Sequence, residues 1–530
     1  MSMSMTMTVT KFVRLAAFSL SLAATPTMAQ DLVVGLSAEP SSLDPHFHNL
    51  APNNQLSAHI FGHLVMRAAD QTLIPGLAES WRVVDPLTWE FKLRKGVTFH
   101  DGTPFTVDDV IATFERVPNV PRSPSNFSSY TRGRQITKID DHTMRITTGV
   151  PSPLLPNDFT AVAIIPKGVK DATTEDFNAR KTTNGTGPYR ILDYVQGDRI
   201  VLERNDAWWG PKPHYKKVTL RVIRSEPSRV AALLAGDVDV IEAVPTTDVA
   251  RLKADQRLSV FEATGSRLIY FKMEMHRSPA PFVTAKDGSR IDNPLLDRRV
   301  RLALSKAINR EAIAARIMDG AARPAGQFVP DFIFGASPNL KAERFDLEGA
   351  RRLLAEAGYP NGFKMTIFGP NGRYVNDTKV IEAIAQMYTR AGVDTSIETL
   401  PPANFFSRAS QGADGWPEFG MYLTGWGSST GEGSDPLRNI AASFDAANGF
   451  GQSNRSRYSN PKVDELLKKA IATMDDTERA KLLAETNDVA FADQAIIPIH
   501  YQVNIWAAKK GITVIPRVDE WTLLTGISKQ

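Results

Sequence analysis

Four groups of residues in this chain have types and spacings that could do chemistry. His46, His48, His59 and His63 cluster, and the last two stand four apart on a stretch that reads as a helix through Leu56, Ile60 and Leu64. Two imidazoles on one helical face could ligate a metal. No carboxylate completes the set locally, so no metal site is expected. Gly427-Ser428-Ser429-Thr430-Gly431 matches the Gly-x-Ser-x-Gly pattern of a serine hydrolase, with Ser429 as nucleophile and His500 downstream. Such an elbow needs a helix directly after the serine, and Gly431, Gly433 and Pro436 oppose one. Gly185 and Gly187 could begin a phosphate loop, but a third glycine is missing. Tyr189 onward also reads as a strand, whereas phosphate cradles open a helix. Arg373 follows the strand Met365 to Phe368, at the strand end where α/β folds place ligands. A guanidinium there can fork onto a carboxylate. The plain alternative for Arg373 is a solvated surface charge.

The elements that must position these residues are regular. Trp89, Phe91 and Leu93 alternate with Glu90, Lys92 and Arg94, the period of a half-buried strand. Val97 to Phe99 is expected to pair back after the Lys95-Gly96 turn. Thr106 and Asp109 form a capping box for a helix whose apolar face is Val107, Val110, Ile111 and Phe114. Further along, Ser225, Asp297, Asn309 and Asp346 stand where helix caps are wanted, and Gly236 and Gly358 where helices stop. Strands at Leu32–Leu36, Val218–Val222, Val238–Ile241, Met365–Phe368, Ser396–Thr399 and Phe419–Thr424 alternate with these helices, the α/β pattern.

A chain of 530 residues is too long for one ordinary core and suggests two or three domains. Residues 1–29 read as a signal peptide, with Lys11 and Arg14, an apolar run from Leu15 to Ala24, and cleavage after Ala29. The run is shorter than a membrane span needs. Beyond it, acids and bases nearly balance, which argues against nucleic acid or an anionic membrane as partner. There is no cysteine, hence no disulfide, thiol nucleophile or Cys metal site.

Several strings resemble one family, the extracellular solute-binding proteins of the peptide/nickel type (family 5), which serve ABC importers. They are Glu39-Pro40-Ser41-Ser42-Leu43-Asp44-Pro45; Ala78-Glu79-Ser80-Trp81 running through the strand to Phe99-His100-Asp101-Gly102; Gly185-Thr186-Gly187-Pro188-Tyr189; Val201 to Asn205 with Trp208-Trp209-Gly210; and Leu353 to Pro360. The resemblance covers nearly all of the chain after residue 30. It implies a two-lobed α/β periplasmic binding protein fold (type II) with an extra subdomain in the first lobe. The expected boundaries are 31–69, 184–283 and 500–530 for the first lobe, 70–183 for the insert and 284–499 for the second lobe. The implied function is capture of a solute between the lobes and delivery to the transmembrane permease subunits, by a monomer without cofactor. The missing lipid-attachment cysteine implies a freely soluble periplasmic protein of a Gram-negative bacterium.

The family spans peptides, glutathione, opines, sugars and nickel complexes, and because its open clefts accept extended chains, the resemblance also admits a chaperone-like peptide holder. In peptide-binding relatives an arginine of the loop matching Arg373 takes the ligand carboxylate. An aspartate three residues after the tryptophan matching Trp426 takes the α-amine; here that position is Ser429. The run from Tyr422 to Glu432 is instead similar to the glutathione-binding members. The resemblance thus implies an anionic, peptide-like solute anchored by Arg373, with Trp426 as an apolar wall and Ser429, Thr430 and Glu432 as polar contacts.

Overall fold

The computed structural model describes residues 1, 31–124, 127–410, 416–428 and 430–530. The signal-peptide reading, Met1 apart, therefore falls outside the described residues.

One twelve-stranded sheet runs through both lobes. At one end, Leu32–Leu36 pairs in parallel with Lys217–Val222 and Val240–Ile241, and the antiparallel strands Tyr189–Val195 and Arg199–Arg204 close the edge. At the other end, Lys364–Pro370 pairs in parallel with Asp394–Leu400 and Met421–Trp426. Between the ends lie two long antiparallel strands, Leu258–Met273 and Ile497–Lys509. Parallel strands need crossover helices and so build α/β cores, and each end has its own. Val34, Leu202, Val218, Leu220 and Trp506 pack in the first lobe, and Phe271, Val300, Ile367, Ile381 and Leu423 in the second.

The two crossing strands belong to both lobes. Val260 and Ile505 pack with the first lobe, whereas Ile269, Phe271 and Ile497 pack with the second. Their register breaks in between: Thr264 faces Val503 and Leu268 faces Tyr501, so Gly265, Ser266 and Arg267 stand opposite Gln502 alone. Such a bulge bends a strand and re-aims its side chains. The two strands thus pass from the first-lobe core to the second-lobe core near residue 265.

The insert contains a four-stranded antiparallel sheet in the spatial order Ala78–Asp85, Thr88–Leu93, Thr143–Thr148, Arg134–Asp140. Phe91, Met144 and Ile146 are fully buried against Val107, Val110 and Phe159. The helix Val107–Arg116 carries the expected capping box, with the Thr106 amide donating to Asp109 Oδ2 at 2.8 Å. Val97 to Phe99 does not pair back as expected. The partners of Thr88–Leu93 are the strands on either side of it, and Thr98 makes a lone bridge to Pro104.

Candidate functional site

Where the lobes face each other, two connected cavities form a trough. The larger, about 990 Å³, is lined by residues of both lobes, among them Glu242, Thr246, Arg373, Tyr374, Asn376 and Trp506. The smaller, about 300 Å³, is lined by Arg67, Tyr130, Ser428, Arg517 and Asp519 among others. Ala51, His59, Arg267, Asn504, Glu520 and Trp521 line both and form the waist. Arg267, thrown out of register by the strand bulge, pairs there with Glu520 at 2.5 Å. The pair stays accessible, with the side chains 21% and 44% exposed. Burial works against the Arg267 charge, but Glu520 outweighs it and raises the pKa above the ordinary arginine value.

The Arg373 loop is braced from below. Asp377, at the start of the helix Asp377–Ala391, accepts from the amides of Gly372, Arg373 and Tyr374 at 3.2, 2.9 and 3.0 Å. Three amide donors on one carboxylate fix the loop backbone. The Arg373 side chain is exposed in the larger cavity, its guanidinium carbon 5.0 Å from the centre of the Tyr374 ring. Tyr374 is anchored in turn, its hydroxyl donating to Gly425 O at 3.3 Å. Asn376 reaches across the trough floor, its amide donating to Thr246 Oγ1 at 3.0 Å.

The other residues singled out in the sequence fare differently. Ser429 lies outside the described residues, and with it the nucleophile of the hydrolase reading. Ser428, beside it, lines the smaller cavity and exchanges hydrogen bonds with the Glu432 backbone at 2.8 and 3.1 Å. The carbonyl of Thr430 accepts from Asn157 of the insert at 3.0 Å, and its hydroxyl is buried without a partner among the described residues. Glu432 must be corrected as a ligand contact. It is buried, with Arg479 on one carboxylate oxygen and the Ser434 hydroxyl on the other, and so holds its loop from behind. Trp426 must be corrected as a cavity wall. Its ring packs on the Leu437–Leu467 core while Nε1 donates to Asp435 Oδ2 at 2.8 Å, and it lines neither cavity.

Three of the four clustered histidines, His46, His59 and His63, are buried. His59 ends the helix Ala51–Ile60, but His63 lies on the strand Gly62–His63, so the two do not share a helical face as expected. His59 Nε2 accepts from the Leu524 amide at 3.1 Å. Arg116 donates to His46 Nδ1 at 2.9 Å, which leaves Nε2–H to donate to Ala163 O at 2.7 Å. Burial pushes all three pKa values down, to about 4 for His46, 3 for His59 and 4 for His63, and so keeps the rings neutral. Among the described residues no group of three His, Cys, Asp or Glu side chains could hold a metal.

Three of the strings that carried the family resemblance, around Asp44, His100 and Gly185, fasten the insert to the first lobe. Asp44 is forked by Arg116 at 2.7 and 2.9 Å and receives the Thr174 hydroxyl at 2.7 Å, all of them buried. Burial alone would raise the Asp44 carboxyl, yet the bonds and charge of Arg116 bring it below the usual range. His100 N donates to Gly185 O at 2.8 Å, and its Nε2 lies 3.1 Å from Gly187 O. Gly185 and Gly187 must be glycine for a steric reason: a Cβ on either would fall within 2.6 Å of the Ile60 or His59 backbone.

Sequence reading missed Arg267, Glu520 and Trp521. The only local sign was Gly265-Ser266 interrupting a strand; Glu520 and Trp521 look like tail residues after Pro516.

The comparisons with known proteins agree with this geometry. Residues 72–448 match the family described as bacterial extracellular solute-binding proteins, family 5. The chain is 27% identical to the dipeptide-binding protein of Escherichia coli (strain K12), covering 89% of each chain. It is also 27% identical to the glutathione-binding protein GsiB of that strain, covering 92% of this chain and 91% of the relative. Heme-binding protein A of Haemophilus influenzae is 27% identical over 85% of this chain and 83% of its own. Among solved structures, HbpA2 from Haemophilus parasuis superposes with a TM-score of 0.80 at 24% identity, covering 94% of this chain and all of that one. A two-lobed α/β fold with a solute-sized trough and a family match over most of the chain lead to one conclusion: this chain belongs to the family 5 extracellular solute-binding proteins of ABC transporters, a class of binding proteins and not of enzymes.

Proposed function

We propose that the chain is a periplasmic, monomeric binding protein that captures an anionic peptide or peptide-like solute of about glutathione size and delivers it to an ABC permease. The observation that carries this reading is Arg373, an exposed guanidinium on a braced loop facing a cavity of about 990 Å³. Small-molecule sites run to roughly 1,000 Å³ and combine apolar walls with a few placed polar groups. Arg373 forks onto the ligand carboxylate, Trp521 supplies the apolar wall that Trp426 does not, and Ser428, which lines the smaller cavity, offers a polar contact. Relatives whose names specify dipeptides and glutathione support the same class. Export fits the family description and the reading of residues 1–29, and no helix among the described residues is long and apolar enough to cross a membrane. Hinge motion about the bulge at residues 265–267 closes the lobes on the ligand.

The test is titration calorimetry with glutathione and a set of dipeptides. Saturable binding that falls at least tenfold in Arg373→Ala is expected. An affinity within threefold of wild type would remove Arg373 as the anchor.

A further inference from the structure

A peptide-like ligand brings an ammonium as well as a carboxylate, and the stretch from Gly427 to Gly431 contains no acidic residue. The trough must answer that cation from another element. Its acidic residues can be taken one at a time. In the larger cavity Glu242 is nearly buried and accepts from Ser37, Gln55 and Thr522 at 2.6–3.4 Å. Asp377 is spent on the three amides of the Arg373 loop. Glu226 is exposed in the first turn of the helix Glu226–Ala235, where the helix dipole already favours its charge. In the smaller cavity Asp519 is forked by Arg517 at 2.6 and 2.9 Å and also receives Gln71 at 3.0 Å. That leaves Glu520, which lines both cavities, keeps 44% of its side-chain surface exposed and pairs with Arg267 at 2.5 Å.

We propose that Glu520 is the receptor for the ligand's ammonium group, supplied by the first lobe in place of an acid in the second-lobe loop. The assignment rests on the peptide-like reading above. Arg373 and Glu520 line the same cavity, so one ligand can place its carboxylate on the second lobe and its ammonium on the first. Glu520 is the accessible member of its pair, with 44% of its side-chain surface exposed against 21% for Arg267, so a ligand cation can compete for it. A zwitterion entering at the waist then replaces one ion pair with two: its ammonium takes Glu520 and its carboxylate takes Arg373, while Arg267 turns to a ligand carbonyl. Trp521 follows Glu520 directly and lines both cavities, which gives the ligand backbone an aromatic surface beside its charged end. The backbone of Glu520 is left-handed at φ 66°, unusual for a residue that is not glycine, and such strain is found where a side chain is aimed for function.

The experiment compares glutathione and alanyl-alanine with their N-acetylated forms by titration calorimetry, in wild type, Glu520→Gln, Glu520→Asp and Arg373→Ala. N-acetylation removes the ammonium and keeps the carboxylate. Wild type should lose at least tenfold in affinity on acetylation, and Glu520→Gln should bind the free amines at least tenfold more weakly and no longer distinguish the two forms. Glu520→Asp, which keeps the charge, should restore part of the discrimination. Arg373→Ala should weaken both forms alike and leave their ratio unchanged. A Glu520→Gln protein that binds the free amines within threefold of wild type and still rejects the acetylated forms overturns the assignment while the peptide-like reading stands. Wild type that binds none of the four probes overturns that reading and the assignment with it.

Discussion

The seam between the insert and the first lobe, and the wall of the trough, both contain arginine–carboxylate pairs, and the two are built to opposite ends. At the seam, Asp44 and Arg116 are 0% and 5% exposed and surrounded by further hydrogen bonds. At the trough waist, Arg267 and Glu520 keep 21% and 44% of their side-chain surface. A buried pair is costly to break because the survivor is left charged and unpaired, while a solvated pair exchanges partners readily. The seam therefore keeps the insert in place and the wall stays available to a ligand.

The largest expected effect breaks the seam. Arg116→Met strands Asp44 in a buried site and should lower the unfolding free energy by about 3–5 kcal/mol, measured by denaturant titration. The folded fraction should bind glutathione within threefold of wild type. A loss below about 1 kcal/mol would mean that the seam pair behaves like a surface pair.

The wall should respond the other way. Arg373→Ala should cost on the order of 2–5 kcal/mol of binding while stability changes by no more than about 0.5 kcal/mol. Equal effects on stability and affinity would erase the distinction between the two regions.

Ligand binding should stabilise the folded state through the wall alone. At about 100 times its dissociation constant, a ligand adds about 2.7 kcal/mol. Solution scattering should show a smaller radius with ligand, because a bridged trough favours the closed arrangement. An unchanged radius would count against hinge closure.

The smallest effect per step is that of acid on the seam. His46 and His63, which pairs its strand with Ala163–Ile164, are held neutral with pKa values of about 4. Their folded pKa lies below the unfolded value near 6.5, so between the two the unfolded chain binds more protons. The stability is fully present above pH 6.5 and is lost as pH falls toward 4, at up to about 1.4 kcal/mol per pH unit for each histidine. Denaturant titrations at pH 7 and pH 5 read it directly. Stability that does not fall between the two would contradict neutral, buried rings.

Much of this architecture was legible because its signals are local. Thr106 with Asp109, Ser225, Asp297 and Asp346 cap the helices expected of them, and Gly236 and Gly358 adopt φ values of 87° and 94° at helix ends. The strings that resemble the family are also local, and they lie mainly in the seam. The site is less legible because its pairs are remote in sequence. Glu432 is bonded to Arg479, 47 residues away, and Arg267 to Glu520, 253 residues away. No window of sequence distinguishes a glutamate buried behind its loop from one open to a ligand. The bulge that aims Arg267 is equally hidden, since it exists only as a mismatch between two strands.

The central claim is that the wall selects a carboxylate-bearing, peptide-like solute through Arg373. Mass spectrometry of the solute released on unfolding the protein purified from its own periplasm, beside Arg373→Ala prepared in the same way, tests it most directly. The account predicts a compound with a free carboxylate and amide bonds from wild type, and its loss from the variant. A neutral sugar or a metal complex from wild type, or the same compound retained equally by Arg373→Ala, would contradict it.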